Sequence, residues 1–350
     1  FNTASGSWNS TTIYPARNLK PEKTRSWELG INSKWLNNRL SFDLTYYRSN
    51  TINQTFTADL SISSGYSKAY IQSGSIRNEG IELALGYSDK WGAFSWDSNL
   101  TFSCNNNKIM KLTEGATNPM TGEPINKDNY DMGQLGNLDA RVKLYKGGSI
   151  GDVYATHRIK RDGNGHIFVS QDGDIEIESV DEFKLGSILP KANMGWSNNF
   201  SYKGINLGVT LTARFGGIAL SGTQSVLDQY GVSQKTADYR DAGGIAANYG
   251  YIDTEKYFDT VKGYAAYYTY SATNIRLAEL NLSYTLPKEW FRDKLRMTVG
   301  LVGKNLWMIY CKAPFDPEAT ASTQSNYYQS YDYFMQPTTR NIGFSVKLNF

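Results

Sequence analysis

The side chains best placed to do chemistry in this chain are tyrosines, gathered in two stretches. Residues 249–270 hold Tyr249, Tyr251, Tyr257, Phe258, Tyr264, Tyr267, Tyr268 and Tyr270, interleaved with Asp253, Glu255 and Asp259. Residues 327–334 hold Tyr327, Tyr328, Tyr331, Asp332, Tyr333 and Phe334. A tyrosine presents a flat apolar face to a sugar ring or a peptide side chain, and a hydroxyl for one hydrogen bond. A carboxylate beside it accepts a sugar hydroxyl or a peptide amine. The substrate-binding set read from these stretches is Tyr249, Tyr251, Asp253, Tyr257, Asp259, Tyr264, Tyr267, Tyr327, Tyr331 and Asp332. The same residues would serve equally to pack loops on one another or on a covering partner.

Other constellations point away from catalysis. The two histidines, His157 and His166, are nine residues apart, and no nucleophile elbow, zinc spacing or phosphate-binding glycine motif accompanies them. The chain reads as a non-enzyme without a cofactor. Arg161-Asp162-Gly163-Asn164-Gly165-His166, followed by Asp172, Asp174, Glu176 and Glu178, offers oxygen ligands suited to calcium. It lacks the full ligand spacing of a calcium loop, so a solvated Gly/Asp turn leading into an exposed strand is the preferred reading. Cys104 and Cys311 lie far apart in the sequence and read as two free thiols in preference to a disulfide. The net charge of +3 gives no basis for nucleic-acid binding.

The elements that must position these residues alternate. The last stretch, Asn341 to Phe350, puts Ile342, Phe344, Val346, Leu348 and Phe350 on one face and Asn341, Gly343, Ser345, Lys347 and Asn349 on the other. That is a two-faced β-strand, long enough to cross a bilayer on a tilt or to close a soluble sandwich. The pattern recurs. Trp27, Leu29, Ile31 and Trp35 share a face, and after an Asn37-Asn38 turn so do Leu40, Phe42, Leu44 and Tyr46, which makes a hairpin. A Ser/Thr-rich stretch at about 51–67 separates this hairpin from the next, whose strands carry Ile81, Leu83, Leu85 and Tyr87, then Phe94, Trp96, Leu100 and Phe102. Further pairs flank Lys203-Gly204 and the 287–294 turn, and a parity break between Leu277 and Leu280 predicts a β-bulge.

The count is nine strands, with room for two more within 139–160. Long connections at about 105–190, 216–271 and 307–337 alternate with tight turns. A sandwich rarely mixes strands and loops of such lengths, whereas an outer-membrane barrel has short turns on one rim and long loops on the other. Trp27, Trp35, Trp91, Trp96, Trp196 and Trp290 lie at or near strand ends, as interfacial girdles require. The mean hydropathy of −0.48 does not argue against this, because lipid-facing residues alternate with polar ones. Glu28, Lys34, Asp43, Glu82, Asp97 and Arg276 fall on the polar, lumen-facing parity. The fold class is therefore all-β: an antiparallel transmembrane β-barrel with short periplasmic turns and long extracellular loops, in the outer membrane and in contact with its lipid. Phe1 to Trp8 reads as the middle of a loop, and nine strands leave a barrel open, so the chain is expected to be part of a longer polypeptide.

Several stretches resemble SusC/RagA-type TonB-dependent transporters. They include Asn18-Leu19-Lys20-Pro21-Glu22, Asn37-Asn38-Arg39-Leu40-Ser41-Phe42, Ile76-Arg77-Asn78-Glu79-Gly80, Gly148-Ser149-Ile150-Gly151-Asp152, Asn274-Ile275-Arg276-Leu277, Gly303-Lys304-Asn305-Leu306 and Pro337-Thr338-Thr339-Arg340. They occur in the family's order across nearly the whole chain. The resemblance implies a 22-stranded barrel in the outer membrane of Bacteroidota, of which residues 1–350 would be the C-terminal portion. The plug and the early strands would lie outside this chain. It implies TonB-dependent import of a bulky nutrient, an oligosaccharide or oligopeptide. The expected partners are a SusD-like lipoprotein, and the TonB-ExbB-ExbD complex acting through the N-terminal region. A non-transporting barrel serving as adhesin or surface binding protein is the alternative. Phe350, a terminal aromatic on an alternating strand, resembles the signal read by the outer-membrane assembly machinery.

Overall fold

The computed structural model describes residues 13–14, 20–59, 66, 68–115, 117, 122–124, 128–292, 294–319 and 329–349. In chain order, β1 (Ile13–Tyr14), β2 (Lys23–Trp35), β3 (Leu40–Asp59), β4 (Lys68–Trp91) and β5 (Phe94–Lys111) come first. The first long connection carries β6 (Asn129–Gln134), β7 (Arg141–Tyr145), β8 (Asp152–Ile159) and β9 (Ile177–Ser187). Next are β10 (Ala192–Tyr202) and β11 (Ile205–Phe215). The second connection holds β12 (Ile218–Ser221), α1 (Gly222–Gln229), α2 (Gln234–Asp241), β13 (Ile245–Ala246), β14 (Tyr251–Ile252), α3 (Thr254–Val261) and β15 (Thr269–Ser271). β16 (Asn274–Thr285), β17 (Arg296–Cys311), β18 (Tyr331–Asp332) and β19 (Asn341–Asn349) complete the chain.

Nine long strands form one antiparallel wall in the order β19-β17-β16-β11-β10-β5-β4-β3-β2, with β1 added in parallel to β4. The register explains the two faces. Ile31, Leu44, Leu83, Phe102, Met194, Ala213 and Ile275 stand side by side across seven strands. The next row on the opposite face reads Asn32, Asp43, Ala84, Thr101, Gly195, Thr212 and Arg276. The first row suits lipid and the second suits a wet lumen. On β3 the apolar run Leu40, Phe42, Leu44, Tyr46 stops at Arg48, which is ion-paired to Glu79 at 2.9 Å. From Leu40 to Arg48 the strand rises about 25 Å at roughly 3.3 Å per residue, close to the band an outer-membrane barrel presents.

Tight turns fill one rim. Leu36, Asn37 and Asn38 all take left-handed backbone angles (φ 57°, 55° and 67°), which asparagine tolerates better than most residues. Trp35, Trp91 and Trp290 lie at this rim and are exposed. Slightly deeper, the Trp96 indole donates to Asn198 Oδ1 (3.1 Å) and the Trp196 indole to Ser98 Oγ (3.0 Å), so two polar residues on the apolar parity are satisfied by girdle tryptophans. Trp27 stands opposite Arg48 at the far boundary, its ring 5.2 Å from that of Tyr46. The bulge falls where parity breaks: Leu277 and Glu279 pair with consecutive residues Leu211 and Thr210, leaving Ala278 extra.

Three expectations need correction. The stretch 51–67 is not a loop throughout, since 51–59 continues β3 and pairs with the start of β4; 60–65 and 67 lie outside the described residues. β5 runs to Lys111 and β17 to Cys311, so the connections that follow them begin later than 105 and 307. Above the charged boundary apolar and polar residues no longer alternate (Ile109 and Met110 are adjacent on β5, and Leu306 to Tyr310 on β17 are apolar on both faces), so alternation no longer marks a ladder that the backbone continues. The two strands within 139–160 exist as β7 and β8 but belong to a separate sheet, β6-β7-β8-β9. Val142, Leu144, Val153 and Ala155 are buried there. Their alternation serves a loop core rather than the lipid. Cys104 and Cys311 are both free thiols.

Candidate functional site: the packed loops and the lumen face

The long connections fold into one body beyond the wall. β12 pairs with β15 and, in parallel, with β18, which ties the second connection to the third. A parallel bridge between Ile167 and Ala247 ties the first to the second. Leu138, Val142, Val153, Ile167, Leu220, Phe258, Val261 and Tyr268 share one apolar core. The hydroxyl of Tyr268 is shifted far upward by burial, and that of Tyr270 is pushed up to about 12, by burial first and then by Asp228.

Within this body the predicted residues separate into three groups. Tyr257, Tyr331 and Asp332 are buried. Tyr257 packs edge-on to Phe258 at 5.0 Å, and burial, with Tyr267 and Tyr239 adding, raises its hydroxyl well above the usual range. Asp332 accepts from Ser221 Oγ at 2.6 Å. Tyr331 accepts the Asn137 N–H at 3.1 Å and donates to the Asn137 side chain. Its ring lies so close to Gly136 and Gly222 that a Cβ at either would collide with it. Tyr331 thus joins all three connections, and its placement is a packing one.

The second group is half-buried. The Tyr267 hydroxyl accepts the Ile159 N–H at 3.0 Å. The Tyr264 ring stacks on His157 at 5.3 Å and 11°, and burial first, then Asp139, raises its hydroxyl. Asp139 accepts the N–H of His157 (3.1 Å) and of Ala265 (2.6 Å), and lies 3.1 Å from His157 Nδ1. This knot links the first and second connections, and nothing in the spacing of Asp139, His157 and Tyr264 along the sequence announces it.

The third group faces outward. Tyr249 and Tyr251, in the β13–β14 hairpin, are 79% and 67% exposed. Asp253 caps α3, accepting from the N–H groups of Glu255 and Lys256, and Asp259 pairs with Lys262 at 2.6 Å. Tyr327 and Phe350 lie outside the described residues. Tyr230, Tyr333 and Phe334 are also exposed; Tyr230 stands alone in sequence, at the end of α1, and so carries no cluster signal. The acidic run after the Gly/Asp turn is occupied by cations: Glu176 by Lys160 (2.6 Å), Glu178 by Arg158 (2.8 Å) and Asp174 by Lys256 (2.8 Å). Asp162 caps its own turn, accepting from the N–H groups of Asn164 and His166.

Below the loops, Asp43, Thr45, Glu82, Thr101, Asn193 and Thr212 line a concavity of about 580 Å³ on the polar face, with Glu318 at its edge. Arg276 reaches Asp316 at 2.8 Å and Glu318 at 3.0 Å, and donates to Asn305 Oδ1 at 3.0 Å. Thr338 donates to the other Asp316 oxygen at 2.8 Å. The connection after β17 is thereby drawn onto the lumen side of the wall. Burial alone would raise the Asp316 pKa; the hydrogen bonds from Arg276 and its neighbours outweigh it and hold the carboxyl below its ordinary value.

A family model described as the TonB dependent receptor-like β-barrel matches residues 1–175. The chain is 26% identical to TonB-dependent receptor P3 of Formosa agariphila over 97% of its own length and 35% of that protein. It is 23% identical to TonB-dependent receptor SusC of Bacteroides thetaiotaomicron, over 89% of this chain and 31% of that one. In fold it is similar to the RagAB peptide importer in its open-open state, with a TM-score of 0.68 at 18% identity, covering 95% of this chain and 35% of that one. The chain spans about a third of the length of the curated relatives it matches.

Proposed function

Because the chain belongs to the TonB-dependent receptor-like β-barrel family of the bacterial outer membrane, and is of its SusC/RagA type, we propose that it supplies part of the wall and mouth of an energy-coupled importer. In this reading residues 1–350 are the C-terminal portion of the barrel. The cargo is a bulky nutrient, an oligosaccharide or oligopeptide, and a SusD-like lipoprotein covers the mouth. Energy comes from the TonB-ExbB-ExbD complex. The chain itself carries out no covalent chemistry.

The observation that carries this reading is the division of labour between wall and loops. A rigid ladder with a polar inner face supports a separately packed loop body, and Tyr249 and Tyr251 project from that body. Of the candidate tyrosines among the described residues, they are the two whose rings are free to meet cargo or lid. The likeness to a structure described as a peptide importer favours peptide among the cargo classes. The test is growth and uptake in the host after deletion of the gene, on a panel of glycans and peptides as sole nutrient. Loss of growth on one class supports import. Unchanged growth on all of them, with lost adhesion to a surface, would favour the adhesin reading.

A further inference from the structure

The lipid-facing side of the wall is not uniformly ridged. Near the tight-turn rim, across β11, β16, β17 and β19, lies an almost wholly apolar groove of about 840 Å³. Its floor is Val299 and Val346, which face each other across the ladder. Larger side chains stand around them: Tyr284 beside Val299 in the same row, and Leu301 and Phe344 in the next. The groove exists because small β-branched residues occupy one row where the neighbouring row is bulky. Leu301, flanked by strands on both sides, is 60% exposed.

One end of the groove is charged. Lys203 sits in the β10–β11 turn, held by left-handed angles at Lys203 and Gly204 (φ 44° and 86°), with its Nζ 5.4 Å from the centre of the Tyr202 ring. The neighbouring β16–β17 turn adds Lys288, Arg292 and Lys294, three cations against the two acids Glu289 and Asp293 of the same turn. Among the described residues none of these four cations is ion-paired. The exposed Trp290 lies in the same turn, at the depth where an indole meets headgroups. An apolar trough that opens onto unpaired cations and tyrosine hydroxyls matches the two halves of one kind of molecule. We infer that this groove holds an anionic phospholipid of the periplasmic leaflet, its acyl chain over Val299 and Val346 and its phosphate at Lys203. The leaflet follows from the rim, because outer-membrane barrels carry their short turns on the periplasmic side.

The test uses the intact protein in nanodiscs of mixed phosphatidylglycerol and phosphatidylethanolamine, with bound lipid counted by native mass spectrometry after detergent release. Wild type should retain phosphatidylglycerol in preference to phosphatidylethanolamine. Lys203→Gln should lower that preference about fivefold, the change expected for one cation beside an anionic surface. Val346→Trp fills the floor and should abolish retention, whereas Leu44→Trp, on the same face of a distant strand, should not. Wild-type retention in Val346→Trp, an unchanged lipid ratio in Lys203→Gln, or retention of lipid A instead would overturn the inference. Should Val346→Trp fail to assemble, photo-crosslinking of wild type with a diazirine-bearing phosphatidylglycerol decides. Label concentrated on 202–205 and 344–346 supports the site, and equal label on β3 sinks it.

Discussion

At the scale of single residues, chemical type and burial pull in different directions, and burial decides. Tyr257 and Tyr249 are eight positions apart in one tyrosine-rich stretch, yet one is core and the other is nearly free. Tyr257→Ala should cost about 3–5 kcal/mol in the loop body, as large-to-small aromatic changes in cores do. Tyr249→Ala with Tyr251→Ala should change stability by no more than about 0.5 kcal/mol per site. Thermal unfolding and limited proteolysis separate the two cases, and cargo uptake should fall only in the exposed double variant if those rings meet cargo. Arg276 offers a sharper test. Arg276→Met would leave Asp316 buried and unpaired, at a cost of about 3–5 kcal/mol. Cleavage of the 312–319 segment by protease should therefore accelerate. The pH dependence has a definite sign: Asp316 has a depressed pKa in the folded state, so its contribution is complete above its ordinary value of 3.8 and fades as pH falls through the lower folded value. Protection of the segment should thus persist to about pH 4 and fail below it.

At the scale of elements, the wall was legible in the sequence because lipid on one side and water on the other impose a period of two on every strand. The same reasoning found the bulge, since an extra residue is what breaks parity between Leu277 and Leu280. Deleting Ala278 leaves Leu277 and Leu280 two positions apart, so Leu280 and Leu282 should keep the lipid face, whereas deleting Asn281 from the regular ladder should turn Leu282 and Tyr284 toward the lumen. Assembly into the outer membrane, read by heat-modifiable migration on gels, should survive the first deletion and fail with the second. Leu44→Arg places a cation on the lipid face and should cost about 2–4 kcal/mol at mid-membrane depth, with far less effect from the adjacent, inward Thr45→Arg. What alternation could not report was structure above Arg48 and Glu79. There β3, β4 and β5 continue without regular alternation, Ile76 and Ile109 joining a small core with Leu112, and only hydrogen-bond partners reveal the ladder.

At the scale of the whole molecule, the loops were the least legible part. Their core draws single residues from segments far apart: Leu138, Ile167, Leu220, Phe258 and Tyr331 share no local pattern, and Tyr331 meets Asn137 across 194 positions. A tyrosine that fits against two glycines is indistinguishable in sequence from one that waits for a sugar. Tyr331→Ala should therefore loosen all three connections together, seen as simultaneous rather than stepwise cleavage when proteolysis is followed over time. That shared keystone also bears on how such a protein can diversify. A loop that packed only on itself could be exchanged between relatives by recombination, one at a time. Here Tyr331 and its partner Asn137 are encoded 194 residues apart, so a crossover between them would separate the tyrosine from the glycine it packs against. If the loops bind cargo as proposed, new preferences would arise by substitution at projecting tips such as the β13–β14 hairpin, or be inherited as a single block running from the first connection to the last.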